Sequence, residues 1–403
     1  MADLLWKPFH LDNIISPYPM YARLRSTDPI HRSQTGEFIV TKYADVKEVL
    51  KSASFATGNR LEWLKRGIQY FHNKEEDLRA IYQAMNAFIL MLNEPQHMHI
   101  RGFISKTWSH RDVDTIIGNN IERLLKSLES KTEIDVVAEY AQPLPVLTIA
   151  QILGIPTDDY LYLKELGVAM TKALDLYVSF KDLVQINDAS KKFIFFFQEQ
   201  IRLKNQKRDT GLLSQLIEKN KFESPRLTEE QLISIAIFLF IAGEETSASL
   251  ISTGLYALLM HPDQATLLQH NASKIESAVE EILRYDSVVQ LLGRIAREDY
   301  LLRGTLVPAG ATVTLVIGSA NHDEEFFKTP DVFDITRYPN RHLSFGTGVH
   351  FCLGDWLGRR QAQLALRALL ERFPALSLAP QQQPVYYNNL AIRALKQLNV
   401  KLF

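Results

Sequence analysis

The sequence predicts a mainly α protein with a smaller β portion, folded as a single domain over residues 1–403. Three observations point there. Apolar residues recur at helical spacing through most of the chain, and β-type patterning is confined to residues 29–41 and 294–317. No stretch rich in Pro, Gly or Ser and no long charge run marks a linker. Hydrophobic residues make up 46% of the chain, ample for one large core, and aromatic residues 10%, which suits a cavity around a planar ligand.

Taken in order, residues 29–41 read as a hairpin, with Thr35-Gly36-Glu37 as the turn and Phe38-Ile39-Val40 as an apolar strand. Helical patterns follow at 44–51, 117–128 and 275–284. The longest helix is announced by Thr228 and Gln231, which fit a capping box, and it continues to Met260 before His261-Pro262 ends it. At about 1.5 Å per residue it spans roughly 45–50 Å, so its middle should be buried. Yet that middle reads Ala242-Gly243-Glu244-Glu245-Thr246, two acids after an almost wholly apolar run. Buried carboxylates are costly unless partnered, and such a conflict marks a functional position. Beyond it, residues 300–307 read as β, then a Pro308-Ala309-Gly310 turn, then β again over 312–317. A last helix covers 355–372 and stops before Pro374.

Charge and composition exclude some classes. With 45 basic and 46 acidic residues the net charge is −1, which leaves no electrostatic footprint for nucleic acid. The N-terminus lacks a basic segment followed by an apolar one, and the longest apolar run, 235–243, falls short of a membrane span. A cytoplasmic protein with no membrane partner is expected.

The one cysteine sits in Phe345-Gly346-Thr347-Gly348-Val349-His350-Phe351-Cys352-Leu353-Gly354. A lone thiol makes no intramolecular disulfide, which leaves packing, nucleophilic attack or metal ligation. Gly348 and Gly354 remove bulk and permit unusual backbone angles on either side of the sulfur, as suits a loop lying flat against a large planar ligand. The helix that follows places Cys352 at a helix N-terminus, where free N–H groups and the dipole favour a thiolate. A thiolate held this way is a good axial ligand for haem iron.

This loop resembles the haem-binding segment of the cytochrome P450 family. So do the Ala242–Thr246 stretch, the pair Glu281 and Arg284 in Glu281-Ile282-Leu283-Arg284, and Phe333-Asp334-Ile335-Thr336-Arg337. The resemblance runs from the hairpin to the last strand and is densest over residues 228–360. It implies the P450 fold and haem b, with Cys352 as the axial thiolate in the loop carrying Phe345, Gly346 and Gly354. Ala242 and Gly243 would let the long helix approach the haem face. Thr246 would offer its hydroxyl to dioxygen, and Glu245 would relay protons, while Glu244 has no assigned role. His97 and Arg101, four apart on one helix face, together with Arg294 and His350, match the positions that hold the haem propionates. Arg337 would complete a buried structural network with Glu281 and Arg284.

The chain departs from the family pattern at Asn93-Glu94, His99, His322, Asp355-Trp356 and Gln361. These positions bear on the anchoring of haem and on the surface that meets a redox partner.

The activity so implied is insertion of one oxygen atom from dioxygen into a small lipophilic or aromatic organic molecule, by hydroxylation or epoxidation, in secondary metabolism. The alternatives are other haem-thiolate chemistry, such as oxidative coupling or peroxide-driven oxidation, and a non-catalytic haem-binding protein. With no further cysteines for a cluster, electrons would come from a separate ferredoxin or flavodoxin with its reductase. They would enter near Cys352, where Arg341, Arg359, Arg360 and Lys106 supply positive charge for an acidic carrier. Substrate contacts are expected from residues 61–90, 170–178, 238–242, 288–292 and 388–392. Aromatic Tyr70, Phe71, Phe88 and Tyr177 lie there, with His72, Asn73, Asp175, Gln290 and Asn389 available to orient polar groups.

Overall fold

The computed structural model describes residues 6–58, 78–108, 112–158, 160–175, 178–380 and 384–403. The described residues are 57% helix and 11% strand, the mainly α composition that the periodicity predicts. It divides into two compact units, one made of Met1–Gly58, Ile121–Gln142 and Thr246–Phe403, the other of Asn59–Asn120 and Pro143–Glu245. The Glu229–Met260 helix runs unbroken through the division.

The first unit holds the larger sheet, in the order Ile30–Arg32, Phe38–Val40, Thr312–Val316, Leu291–Ala296, Phe55–Thr57. The expected hairpin forms with Ile30 opposite Val40, and Gly36 takes φ +88° at its turn. Phe38–Val40 then pairs in parallel with Thr312–Val316, so strands far apart in sequence share one ladder. Phe38, Val40, Val313 and Leu315 pack with Val46, Val49 and Leu50 of the Tyr43–Lys51 helix in a buried core. The stretch 300–307 is not one strand. Tyr300–Leu302 and Thr305–Val307 pair as a hairpin, because Arg303 (φ +46°) and Gly304 (φ +80°) form a tight turn of the twist that hairpins favour.

The second unit is helical. Pro143–Leu153 is buried almost throughout, which its apolar sequence requires. The Phe180–Gln206 helix starts with a Ser179–Asp182 capping box and packs Phe193 against Phe240 at 5.7 Å. The capping box expected at Thr228 forms: its N–H donates to Gln231 Oε1 (2.9 Å), and the Gln231 N–H donates to Thr228 Oγ1 (3.2 Å). The helix that follows is the one described helix long and apolar enough to cross a membrane, more than its longest uninterrupted apolar run suggests. Most of that stretch is buried, as in the core helix of a globular protein.

Candidate active site

Between Ile235 and Leu255 every residue of the long helix is buried except Phe238, Ala242, Gly243 and Thr246. Positions 238, 242 and 246 are spaced by four, so the half-exposed residues mark one stripe along an otherwise enclosed helix. Thr246 is in that stripe and Glu245 is not. Burial pushes the Glu245 carboxyl up to about 7 against the opposing charge of Lys164, so near neutral pH it both holds and releases a proton. Glu244 is more deeply enclosed. Burial, then the Glu245 charge, push it well above the usual carboxylate range, with Lys164 opposing. Its Oε2 has no hydrogen-bond partner among the described residues, and a Cβ on Gly167 of the Tyr160–Thr171 helix would lie 2.0 Å from that oxygen. A side chain at 167 would therefore have to turn the Glu244 carboxylate aside. Gly243 lies close to its neighbour within the same unit: a Cβ there would come within 3.1 Å of the Ile149 side chain.

His97 and Arg101 both belong to the Gln96–Thr107 helix, one turn apart as their spacing predicts. His97 is buried, with Nδ1 3.3 Å from Glu94 Oε1, and burial lowers its pKa despite that carboxylate. Glu94, one of the departures from the family pattern, thus sits at the helix start as the partner of His97.

In the first unit, the Cys352 N–H donates to the Phe345 carbonyl (2.9 Å), closing the loop on itself. Gly346 (φ +68°) and Gly348 (φ +76°) make the turn. A Cβ on Gly348 would sit 2.7 Å from the Leu50 carbonyl oxygen, so this glycine is needed twice over. Gly354 differs from expectation. Its φ of −97° is open to any residue, and it serves as the N-cap of the Asp355–Arg372 helix, two residues beyond Cys352. The unusual backbone angles thus fall at 346 and 348, before the sulfur, because the helix start after it needs none.

The loop rests on a polar scaffold. Arg284 forks onto Glu281 with two bonds of 2.8 Å, both side chains fully buried, and donates on to the Asn321, Pro330 and Val332 carbonyls. Arg337 adds bonds of 3.1 and 3.2 Å to the same carboxylate, and Asn340 one of 3.0 Å. The Glu281–Arg284–Arg337 network therefore exists, its charges paired with one another and its remaining groups bonded to Asn340 and to backbone, the condition under which buried charge is tolerated. Asn321 passes it forward: its Oδ1 accepts from the Leu343 N–H (2.8 Å) and its Nδ2 donates to Ser344 Oγ (2.9 Å). His322, where the family carries Arg, bridges Asp331 Oδ1 and the Tyr285 carbonyl, each at 2.9 Å.

Some expectations change. Gln290 donates to the Ser287 carbonyl (2.6 Å) and lies against Gly318, and Asn389 caps the N–H groups of Ala391 and Ile392. Asn389 is committed to its own backbone, whereas Gln290 also reaches the Tyr18 hydroxyl (3.3 Å) and keeps a buried Oε1 with no partner among the described residues. Arg359 is likewise engaged, with Glu280 and Asp355. Phe88 is buried, its ring 5.2 Å from that of Phe238. Tyr70, Phe71, His72, Asn73 and Tyr177 lie outside the described residues.

One feature of the first unit fits an anionic group such as haem. Arg294 is buried, its guanidinium bonds the Gly293 carbonyl, and among the described residues no carboxylate pairs with it. Burial alone pulls its pKa down to about 10. A buried cation of this kind calls for an anionic partner such as a propionate.

Comparison with known proteins agrees. The family described as cytochrome P450 matches residues 170–401, and the biotin biosynthesis cytochrome P450 of Bacillus subtilis (strain 168) is 35% identical over 397 residues, 96% of each chain. The chain belongs to the cytochrome P450 family. The P450 monooxygenase PikC of Streptomyces venezuelae is 33% identical over 404 residues, 97% of this chain and 92% of that one. A crystal structure of P450BioI in complex with an acyl carrier protein ligated to hexadec-9Z-enoic acid superposes with a TM-score of 0.89. It is 33% identical, over 97% of this chain and 99% of the other. This P450 is accordingly a haem-thiolate monooxygenase, an oxidoreductase acting on small organic substrates. Membership displaces the non-catalytic alternative.

Proposed function

We propose that this P450 hydroxylates an extended, lipid-like substrate, a long-chain acyl group being the first candidate, in the cytoplasm and with electrons from a ferredoxin or flavodoxin and its reductase. The carrying observation is the stripe of Phe238, Ala242 and Thr246 on a helix otherwise buried from Ile235 to Leu255 except at Gly243, an apolar face ending in a hydroxyl. The relative crystallised with a carrier-bound hexadecenoyl chain supports the substrate class. The unbroken Glu229–Met260 helix and the near-complete overlap with relatives support residues 1–403 acting as one P450 domain.

In this reading Cys352 ligates haem b, seated in the loop of Phe345, Gly346 and Gly354. Arg294, His350, His97 and Arg101 hold the propionates, and Ala242 and Gly243 keep the helix slim beside the ring. When bound, the haem supplies activation of dioxygen and insertion of one oxygen atom into a C–H bond. Thr246 orients a proton at its Oγ1. Glu245 replenishes it, its pKa near 7 being matched to a proton given and regained at neutral pH.

Spectral titration of the holoprotein with free hexadecenoate, the same chain on an acyl carrier protein, and a steroid tests the substrate class. An acyl form should shift the absorption spectrum of the holoprotein at the lowest concentration and yield a hydroxylated product. In the same assay Thr246→Ala should bind equally well yet divert most reducing equivalents to peroxide. Preference for the steroid would overturn the acyl reading, and coupling at wild-type level in Thr246→Ala would overturn the role of the hydroxyl.

A further inference from the structure

The Ile275–Tyr285 helix presents two adjacent carboxylates, and only Glu281 belongs to the buried arginine network. Its neighbour Glu280 serves the cysteine loop. Glu280 Oε2 lies 3.0 Å from His342 Nε2, and the carboxylate accepts a two-bonded fork from Arg359, Nε to Oε1 at 2.6 Å and Nη2 to Oε2 at 3.1 Å. The Ser344 N–H donates to His342 Nδ1 (3.3 Å), so Nε2 carries the ring proton and donates to Glu280. Arg359 Nη1 donates to Asp355 Oδ2 (2.6 Å) in the first turn of the following helix. Every part of the guanidinium edge is thus oriented, and its face lies over the Phe345 ring with Cζ 4.3 Å from the centroid. Phe345 is the residue whose carbonyl receives the Cys352 N–H.

We propose that Arg359, oriented by Glu280 and Asp355, is a positioning residue that seats the Phe345 ring and through it sets how strongly the Cys352 thiolate donates to iron. The inference rests on the reading of Cys352 as the axial ligand. The physical argument is one of shape. A lysine could keep the charge pairing with Glu280 and Asp355, but it has no planar face to lay on an aromatic ring and no rigid fork to fix its direction. Loss of that face frees the ring, loosens the turn closed by the Phe345 carbonyl, and weakens thiolate donation. Weaker donation favours the ferrous state.

The test is a double-mutant cycle of Arg359→Lys and Phe345→Leu, read as the reduction potential of the holoprotein. Arg359→Lys should shift the ferric/ferrous ratio about tenfold toward ferrous, ~59 mV for one electron. In the Phe345→Leu background the same change should move it by less than a third as much. A wild-type potential in Arg359→Lys, or full additivity with Phe345→Leu, would overturn the proposal. A second readout covers a variant that assembles poorly: the thiolate-type band of the reduced carbon monoxide complex should decay about tenfold faster in Arg359→Lys, and equal decay counts against the idea. The ligand reading is checked apart from this. Wild type must show that band and Cys352→Ser must lack it; if Cys352→Ser keeps it, the ligand assignment fails, whatever Arg359 does.

Discussion

Burial raises the pKa of two adjacent acids on one helix to different extents. Glu245 is raised to about 7, a value of use to a proton relay, whereas Glu244, beside Gly167 and with one oxygen unpartnered among the described residues, is pushed well above the usual carboxylate range. An acid whose folded pKa is raised keeps its proton longer when folded, so the unfolded chain binds fewer protons above the ordinary value of 4.5. Stability from Glu244 is therefore intact below that pH and declines as pH rises toward the folded value. Glu244→Gln removes the decline. Thermal unfolding should show the variant more stable than wild type at pH 8 and no better at pH 4. A constant difference across that range would mean that Glu244 does not titrate as its burial implies. Adjacent acids in an apolar run are legible from sequence as an anomaly. Which of them is spent on packing is not, since that depends on Gly167, far away in the chain.

At the scale of elements, the Ile275–Tyr285 helix is an organiser more than a site. Glu281 gathers Arg284, Arg337, Asn340 and the Asp334 N–H, while Glu280 gathers His342 and Arg359. Arg284→Ala would leave the carbonyls of Asn321 and Pro330 without their donor and Glu281 half-paired in a fully buried position, while the Val332 carbonyl would keep its bond from Arg337. Breaking a buried pair by removing one partner costs about 3–5 kcal/mol. Urea titration should show a loss of that size, together with poor haem retention. A loss below about 1 kcal/mol would mean that Arg337 and water suffice. The sequence spacing of Glu281 and Arg284 already implied their contact. The second carboxylate was visible only as the residue before Glu281, and its partners, before and after the cysteine, could be matched to it only once the chain had folded.

At the scale of the whole molecule, a net charge of −1 hides local asymmetry. Around the cysteine loop Arg341 is exposed and Arg360 half-exposed, with apolar Val349 and Phe351 beside them, whereas Arg359 is held by Glu280 and Asp355. Arg360→Glu probes the docking of an acidic electron carrier, and an unchanged thiolate-type band in its reduced carbon monoxide complex checks that the loop is undisturbed. Reduction by a ferredoxin should slow about tenfold at low salt, and less as ionic strength rises, because charge acts chiefly on the encounter rate. Peroxide-driven turnover should be unchanged. Equal ferredoxin-dependent rates across an ionic-strength series would place the docking surface elsewhere. By itself the sequence determined the helical class, the capped long helix, the hairpin and the family, because each rests on local periodicity, turn chemistry or residues a few positions apart. Tertiary structure alone decided that residues 300–307 turn back at Arg303-Gly304 and that Gly354 needs no special backbone angle. It also decided that Asn389 caps its own backbone and that Arg359 belongs to Glu280. Each of these depends on which distant groups come within hydrogen-bond reach, and spacing along the chain carries no record of that.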